Sequence, residues 1–266
     1  MSPVRPSYEG GANPPQGEVF MARTKSFTRR SRDLPPNLQR TWEAHAGSYV
    51  IPVSRGVGHT TVAEDFHLDL PQIFGRNAPV VMEIGSGTGE QAVHWAAANP
   101  QADLLCWEVW VPGIAKIISK AAQAGVTNIR VIEADAAQAI PIAIQDATIS
   151  EVWTFFPDPW RKTRHHKRRL VSPSFAEEIT RVLIGGGLWR LATDWDDYAW
   201  QMRTVVEETP GLVNLYAGCN PDENDPDGAR GGFAPRWEGR TLTNYESRGL
   251  EAGRTVHDIA AQKPSE

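Results

Sequence analysis

Three glycines at alternate positions, Gly85, Gly87 and Gly89, constrain this chain more than any other feature. They follow a short apolar run at 80–84 and precede a helix-like stretch at 90–98. Strand, glycine turn and helix together open a nucleotide-binding α/β unit. Glycine is needed there because the backbone turns sharply and a ligand must approach without meeting a Cβ. The spacing here is GxGxG, and Glu90 stands where the dinucleotide fingerprint GxGxxG has its last glycine. An acid, Glu83, also sits inside the end of the strand.

The turn is the first of several similar units. Apolar runs at 103–109, 129–133, 149–156 and 188–193 read as further strands, and stretches at 114–124, 136–144, 172–183 and 196–208 read as helices between them. Pro112 and Pro173 suit helix starts, Gly125 suits a helix end, and Pro141 interrupts the third helix. Alternation of this kind predicts an α/β fold, a Rossmann-like doubly wound and mostly parallel sheet. The 266 residues suffice for one such domain. Residues 1–35 read as a disordered basic tail carrying Arg23, Lys25, Arg29, Arg30 and Arg32, and 36–266 as a single domain. A helix at 37–49 with Leu38, Trp42 and His45 on one face caps that domain. Late in the chain, the acidic loop with Asp222, Glu223, Asp225 and Asp227 reads as mobile, and 240–245 as a last strand.

Ligands of such sheets bind at the carboxyl ends of the strands. The residues expected there are acids: Glu83, Glu108, Asp135, Asp158 and Asp194. Glu108 lies 19 residues after Gly89, the spacing at which an acid accepts hydrogen bonds from ribose hydroxyls. Asp135 is placed either to shape an adenine pocket or to cap the following helix. An acidic rim disfavours a pyrophosphate, whereas S-adenosylmethionine carries a sulfonium and an ammonium and no phosphate. Glu83 with the GxGxG turn therefore points to that cofactor, held by Glu83, Gly85, Gly87, Gly89 and Glu108, with Asp135 joining them in the first of its two readings.

After the fourth strand comes Phe155-Phe156-Pro157-Asp158-Pro159-Trp160, whose prolines stiffen the loop and whose Trp160 offers a face for stacking. Residues 161–169 then carry six Lys or Arg and two His. On a chain of net charge −5, such a block reads as a phosphate-backbone contact or as a solvated loop. Its origin at the cofactor end of the sheet favours the first reading, with Arg164, His165, His166, Lys167, Arg168 and Arg169 on RNA.

Phe-Pro-Asp-Pro-Trp with its basic run, then Ala-Thr-Asp-Trp at 192–195, then Thr-Asn-Tyr-Glu-Ser-Arg-Gly at 243–249 resembles the bacterial tRNA (guanine-N7-)-methyltransferase family over roughly residues 78–260. The resemblance implies the class I methyltransferase fold and transfer of a methyl group from S-adenosylmethionine to N7 of guanosine 46 in the tRNA variable loop. It implies catalysis by Asp158, which would also touch the cofactor, alongside Glu83, Glu108 and Asp135. It implies substrate contacts by Lys162, Asp194, Thr243, Asn244, Tyr245 and Glu246. The family segment usually reads Thr-Lys-Phe-Glu, so Asn244 departs from it. In this reading Asp194 and Glu246 accept from the guanine N1–H and N2 amino group.

Three other readings remain beside it. One is an amino-group methyltransferase, which shares the Pro-Asp-Pro-Trp flavour. Another is a nicotinamide-dependent dehydrogenase, disfavoured by Glu83 and the glycine spacing. The third is a catalytically silent RNA-binding module, disfavoured by the row of acids. The two cysteines, Cys106 in an apolar run and Cys219, show no zinc spacing, and no metal ligand set is apparent. No apolar run approaches membrane-spanning length, and a cytoplasmic protein with tRNA as its partner is expected. Whether it is a monomer or a homodimer is left open.

Overall fold

In the computed structural model, which describes residues 32–221 and 224–265, the first apolar run becomes the central strand β1 (Val80–Ile84). All five of its residues are buried, as expected of a strand covered on both faces. It pairs in parallel with β2 (Asp103–Glu108) on one side and β4 (Ile149–Phe155) on the other. β3 (Ile129–Glu133) lies outside β2, and β5 (Leu183–Thr193) outside β4. Beyond β5 the sheet turns antiparallel with β7 (His257–Gln262) and the two-residue edge strand β6 (Val213–Asn214). The order is β3-β2-β1-β4-β5-β7-β6, so strand order reverses at β1. That reversal opens the crevice in which such sheets take ligands.

Helices cover both faces because side chains alternate along each strand. Val81 points into the layer with α3 (Glu90–Ala98) and α4 (Val111–Gln123), and Met82 into the layer with α5 (Ala136–Ala143), α6 (Pro173–Val182) and α7 (Asp196–Glu208). On α4, Ile114, Ile117, Ile118 and Ala121 recur at helical spacing and are fully buried, each isoleucine worth about 2 kcal/mol. The N-terminal cap is α1 (Pro36–Tyr49), which packs on the α4 face through Trp42, Ala46 and Tyr49, with Leu38 also buried. His45 was expected on that face and is exposed instead. A short α2 (Leu70–Phe74), capped by Asp69, leads into β1.

Three expectations need correction. The segment expected as a strand at 240–245 is loop followed by helix α8 (Asn244–Glu251), because Thr243 caps a helix there and its Oγ1 accepts from Glu246 N–H at 3.2 Å. The last strands are β6 and β7 instead. β5 begins five residues earlier than expected, running through Gly185–Gly187 with a register shift against β4, since Gly186 adopts φ 80°. The acidic loop is pinned at Asp225, which is buried and ion-paired with the fully buried Arg203. Arg203 also reaches Asp227 at 3.3 Å and the Gly231 carbonyl at 2.8 Å. Arg23, Lys25, Arg29, Arg30, Asp222 and Glu223 lie outside the described residues. No helix among the described residues is long and apolar enough to cross a membrane.

Candidate functional site

Each glycine of the turn is left-handed, with φ 79° at Gly85, 56° at Gly87 and 75° at Gly89, so the alternate spacing records three successive reversals. Their surroundings differ. A Cβ on Gly85 would meet nothing within 4 Å, and one on Gly87 only the Gly85 carbonyl at 4.0 Å. A Cβ on Gly89 would lie 2.7 Å from Ile117 Cγ1 of α4. Gly85 and Gly87 therefore form the open cradle. Gly89, expected on the cofactor, instead allows α3 and α4 to touch and caps α3. Gly113 has a matching role from the other side, since its Cβ would collide with the Gly87 carbonyl. Sequence reading missed it, because a lone glycine in a helical pattern carries no such signal.

Two acids support the cradle in different ways. Glu108, at the end of β2, is buried and accepts three backbone amides: Gly87 N–H at 2.7 Å, and Val109 and Trp110 N–H both at 2.8 Å. It holds the turn's shape as well as standing where a ribose is expected. Glu83, at the end of β1, is 5% exposed, and among the described residues no hydrogen-bond partner reaches its Oε2. Burial, helped by the like charges of Glu108 and Glu90 and opposed by Ser86, pushes its carboxyl up to about 7. A buried acceptor beside an open glycine cradle fits a cationic ligand group.

On the β3 side, Asp135 caps α5 by accepting from Ala137 N–H at 3.1 Å, and its own N–H donates to the Thr60 carbonyl at 2.7 Å. The segment around Arg55 and Val62, which bridge each other, folds over this strand end. Glu133 pairs there with Arg55 and with Arg32, the described part of the basic tail. These contacts, across 78 residues for Arg55 and 101 for Arg32, left no local signal in the sequence.

The opposite half of the crevice is the loop after β4. Phe156 at φ 49° and Trp160 at φ 44° are left-handed non-glycine residues on either side of Asp158, a strained arrangement of the kind concentrated at functional sites. Phe156 N–H bonds the Ala192 carbonyl at 2.8 Å, which ties the loop to β5. Asp158 itself is exposed. Tyr245 of α8 packs 5.6 Å from the Phe156 ring, and its hydroxyl is raised above the usual tyrosine value by burial, then by the charges of Asp194 and Asp158. Asp158, Asp194 and Tyr245 thus share one electrostatic environment. Asp194 is 7% exposed and accepts from Arg254 Nε at 2.7 Å, so this pocket also contains a cation. Gly249 closes on it, since a Cβ there would lie 2.7 Å from Asp194 Oδ2.

The segment 243–246 divides by exposure. Asn244 and Tyr245 face outward. Thr243 spends its hydroxyl on the cap of α8, and Glu246, 1% exposed, is held by Arg236 at 2.9 and 3.1 Å and by Arg240 at 2.9 Å. Glu246 was expected to accept from guanine; its carboxylate is instead committed to two arginines within the protein. Those partners hold it below the usual carboxylate value in spite of its burial, which is the largest influence and acts the other way.

The basic run is a 3-10 turn over Thr163–Arg168. Lys162, Arg164, Lys167 and Arg168 are exposed. Arg168 lies 5.1 Å over Trp160, and the His165 ring stands roughly perpendicular to it at 6.0 Å, so one face of the ring expected for stacking is taken within the protein. The His165 imidazole is lowered from its ordinary value by desolvation and by the charges of Arg168, Arg164, Lys162 and Lys167. His166 lies 3.4 Å from Asp197. Arg169 is the exception to the expected RNA contacts. It is 2% exposed and donates to the Pro159 carbonyl at 2.9 Å, Gln201 Oε1 at 2.7 Å and Asp197 Oδ2 at 2.6 Å, with Tyr198 4.7 Å below. It anchors the Asp158 loop to α7. No cluster of metal-ligating side chains occurs among the described residues.

Residues 77–259 match a family model described as "Putative methyltransferase". The chain is 46% identical to the tRNA (guanine-N(7)-)-methyltransferase of Cutibacterium acnes over 91% of this chain and 83% of that one. It is 38% identical to the protein of the same name from Paenarthrobacter aurescens, over 92% and 93%. Among solved structures, the 16S rRNA methyltransferase KamB shares the fold, with TM-score 0.50 and 19% identity over 78% of this chain and 96% of that one.

Proposed function

The chain belongs to the tRNA (guanine-N(7)-)-methyltransferase family, and from that premise we propose how its residues carry out S-adenosylmethionine-dependent methylation of guanine N7, with guanosine 46 of the tRNA variable loop as the target. The observation that supports the assignment of roles is the packing of Tyr245 on Phe156 at the start of the Asp158 loop, which leaves β4 beside the β1 strand that carries the Gly85–Gly87 cradle. S-adenosylmethionine, when bound, supplies a methyl group on a sulfonium. Glu83 and the open faces of Gly85 and Gly87 would hold its cationic end, Glu108 its ribose, and the wall formed by Asp135 and the segment around Thr60 its adenine.

Guanine N7 has a free lone pair, so the protein needs no strong base. What it must supply is alignment and a negative charge close to the purine as that ring becomes cationic. Asp158, on a loop held from both ends by Phe156 and Arg169, is the group for that charge. Asp194, oriented by Arg254, accepts from the guanine edge, and Tyr245 and Asn244 border the ring. Lys162, Arg164, Lys167 and Arg168 receive the tRNA backbone. Residues 36–266 act in this reading as one catalytic domain.

The purified protein with S-adenosylmethionine and unmodified tRNA should yield N7-methylguanosine at position 46, and a tRNA with another base there should yield none. Asp158→Asn should lower kcat by roughly 10²–10³-fold. Absence of the product with folded wild-type protein would sink the assignment. Methylation of an exocyclic amine would instead favour an amino-group methyltransferase.

A further inference from the structure

Gln91 is the second residue of α3, two positions beyond the last glycine of the turn, and is 4% exposed. Its amide bonds a single stretch of backbone about 150 residues away. Nε2 donates to the Gly239 carbonyl at 3.0 Å, and Oε1 accepts from Thr241 N–H at 2.6 Å. One side chain thus plays the part of a neighbouring strand, which requires a donor and an acceptor on the same planar group. Thr241 Oγ1 is buried and, among the described residues, has no hydrogen-bond partner, so its hydroxyl does not hold the segment in place.

Between those two bonds lies Arg240, 2% exposed. Its two terminal nitrogens reach Asp258, and one also reaches Glu246 Oε1 at 2.9 Å. The guanidinium lies 5.5 Å from the rings of both Phe155 and Phe156. Glu246 follows Tyr245 on α8, and Phe156 begins the Asp158 loop and touches Tyr245. A continuous set of contacts therefore runs from the helix behind the cofactor turn to both elements on the acceptor side.

We propose that Gln91 is a positioning residue for methyl transfer, setting the placement of Tyr245 and the Asp158 loop relative to the glycine turn through residues 239–241. It rests on the methyltransferase reading above. Gln91 itself need not touch either substrate: its amide is already spent on Gly239 and Thr241. Misplacement of two reactants by a fraction of an ångström to one ångström costs up to about 10²-fold in rate.

The test is steady-state kinetics of Gln91→Met, which keeps the volume and removes both bonds, and of Gln91→Glu, which keeps only the acceptor. Gln91→Met should lower kcat by about 10–100-fold, with tRNA KM and cofactor affinity within about threefold of wild type. Gln91→Glu should show the same kcat-only loss and carries the test if the Met variant does not fold. In a Tyr245→Ala background, the Gln91 substitution should add less than about threefold, because both act at one place. A wild-type kcat, a loss confined to KM or cofactor affinity, or fully additive losses with Tyr245→Ala would overturn the proposal. Wild-type enzyme run in parallel separates the two levels: if it forms no N7-methylguanosine the function is wrong, and if it does while the Gln91 variants match it, only the positioning role is wrong.

Discussion

Replacing Glu83 by Gln is expected to stabilise the ligand-free protein and weaken its hold on S-adenosylmethionine. Burial between β2 and β4, followed by the charges of Glu108 and Glu90, places the native carboxyl at about 7 against 4.5 for a free one. Between those values the folded protein holds a proton that the unfolded chain has released. The unfolded state then binds fewer protons, so stability falls as pH rises from 4.5 to about 7 and stays at the lower level above it. At about 1.4 kcal/mol per pH unit, the full loss is about 3 kcal/mol, or roughly 6–12 °C in Tm for a domain of this size. A neutral amide avoids this loss. Thermal unfolding followed from pH 4.5 to 8 should show the two proteins melting together at the acid end and Glu83→Gln melting higher by about that margin at pH 8. A cationic ligand group offsets the cost of the buried charge, so wild-type protein should release a proton on binding cofactor near pH 6.5, measurable by calorimetry in two buffers of different ionisation enthalpy. Glu83→Gln should bind more weakly and release none. A Gln variant no more stable than wild type at pH 8, or wild-type binding without proton release, would refute the reasoning.

Changing Lys162, Arg164, Lys167 and Arg168 together to Ser should reduce the slope of log K for tRNA against log salt by about 3, leaving cofactor affinity unchanged in a direct binding assay. Arg169→Ala should behave differently from its neighbours. It removes the guanidinium that joins the Pro159 carbonyl to Gln201 and Asp197 of α7 and should cost about 2–3 kcal/mol in denaturant unfolding, with no change in that salt slope. Gly89→Ala forces a Cβ toward Ile117 at a left-handed φ and should lower stability by roughly 1–2 kcal/mol in the same assay.

The parts legible in the sequence are those governed by local chemistry. Alternate glycines, buried apolar runs and acids at a set spacing predict the strands, the turn and the places of Glu83 and Glu108, since each depends on a few adjacent residues. Arg169 and Glu246 show where that logic stops. Arg169 ends a run of apparently equivalent cations, yet the chain passes inward there, and α7 supplies Asp197 and Gln201 to receive it. Glu246 has the motif position of a ligand group, yet Arg236 and Arg240 claim both of its oxygens.

Sequence alone determined that this chain makes a mostly parallel α/β sheet with an acid-lined glycine turn and a basic loop issuing from the same edge. It determined this because burial pattern, glycine conformation and net charge are properties of the chain that survive any arrangement of distant parts. Tertiary structure decided which charges remain available. Whether a carboxylate or a guanidinium meets solvent or an internal partner depends on elements up to about 150 residues away, such as Gln91 with 239–241 and Arg203 with Asp225. An ion in a dry interior must find its opposite charge or a hydrogen bond, and only the folded chain brings those groups together.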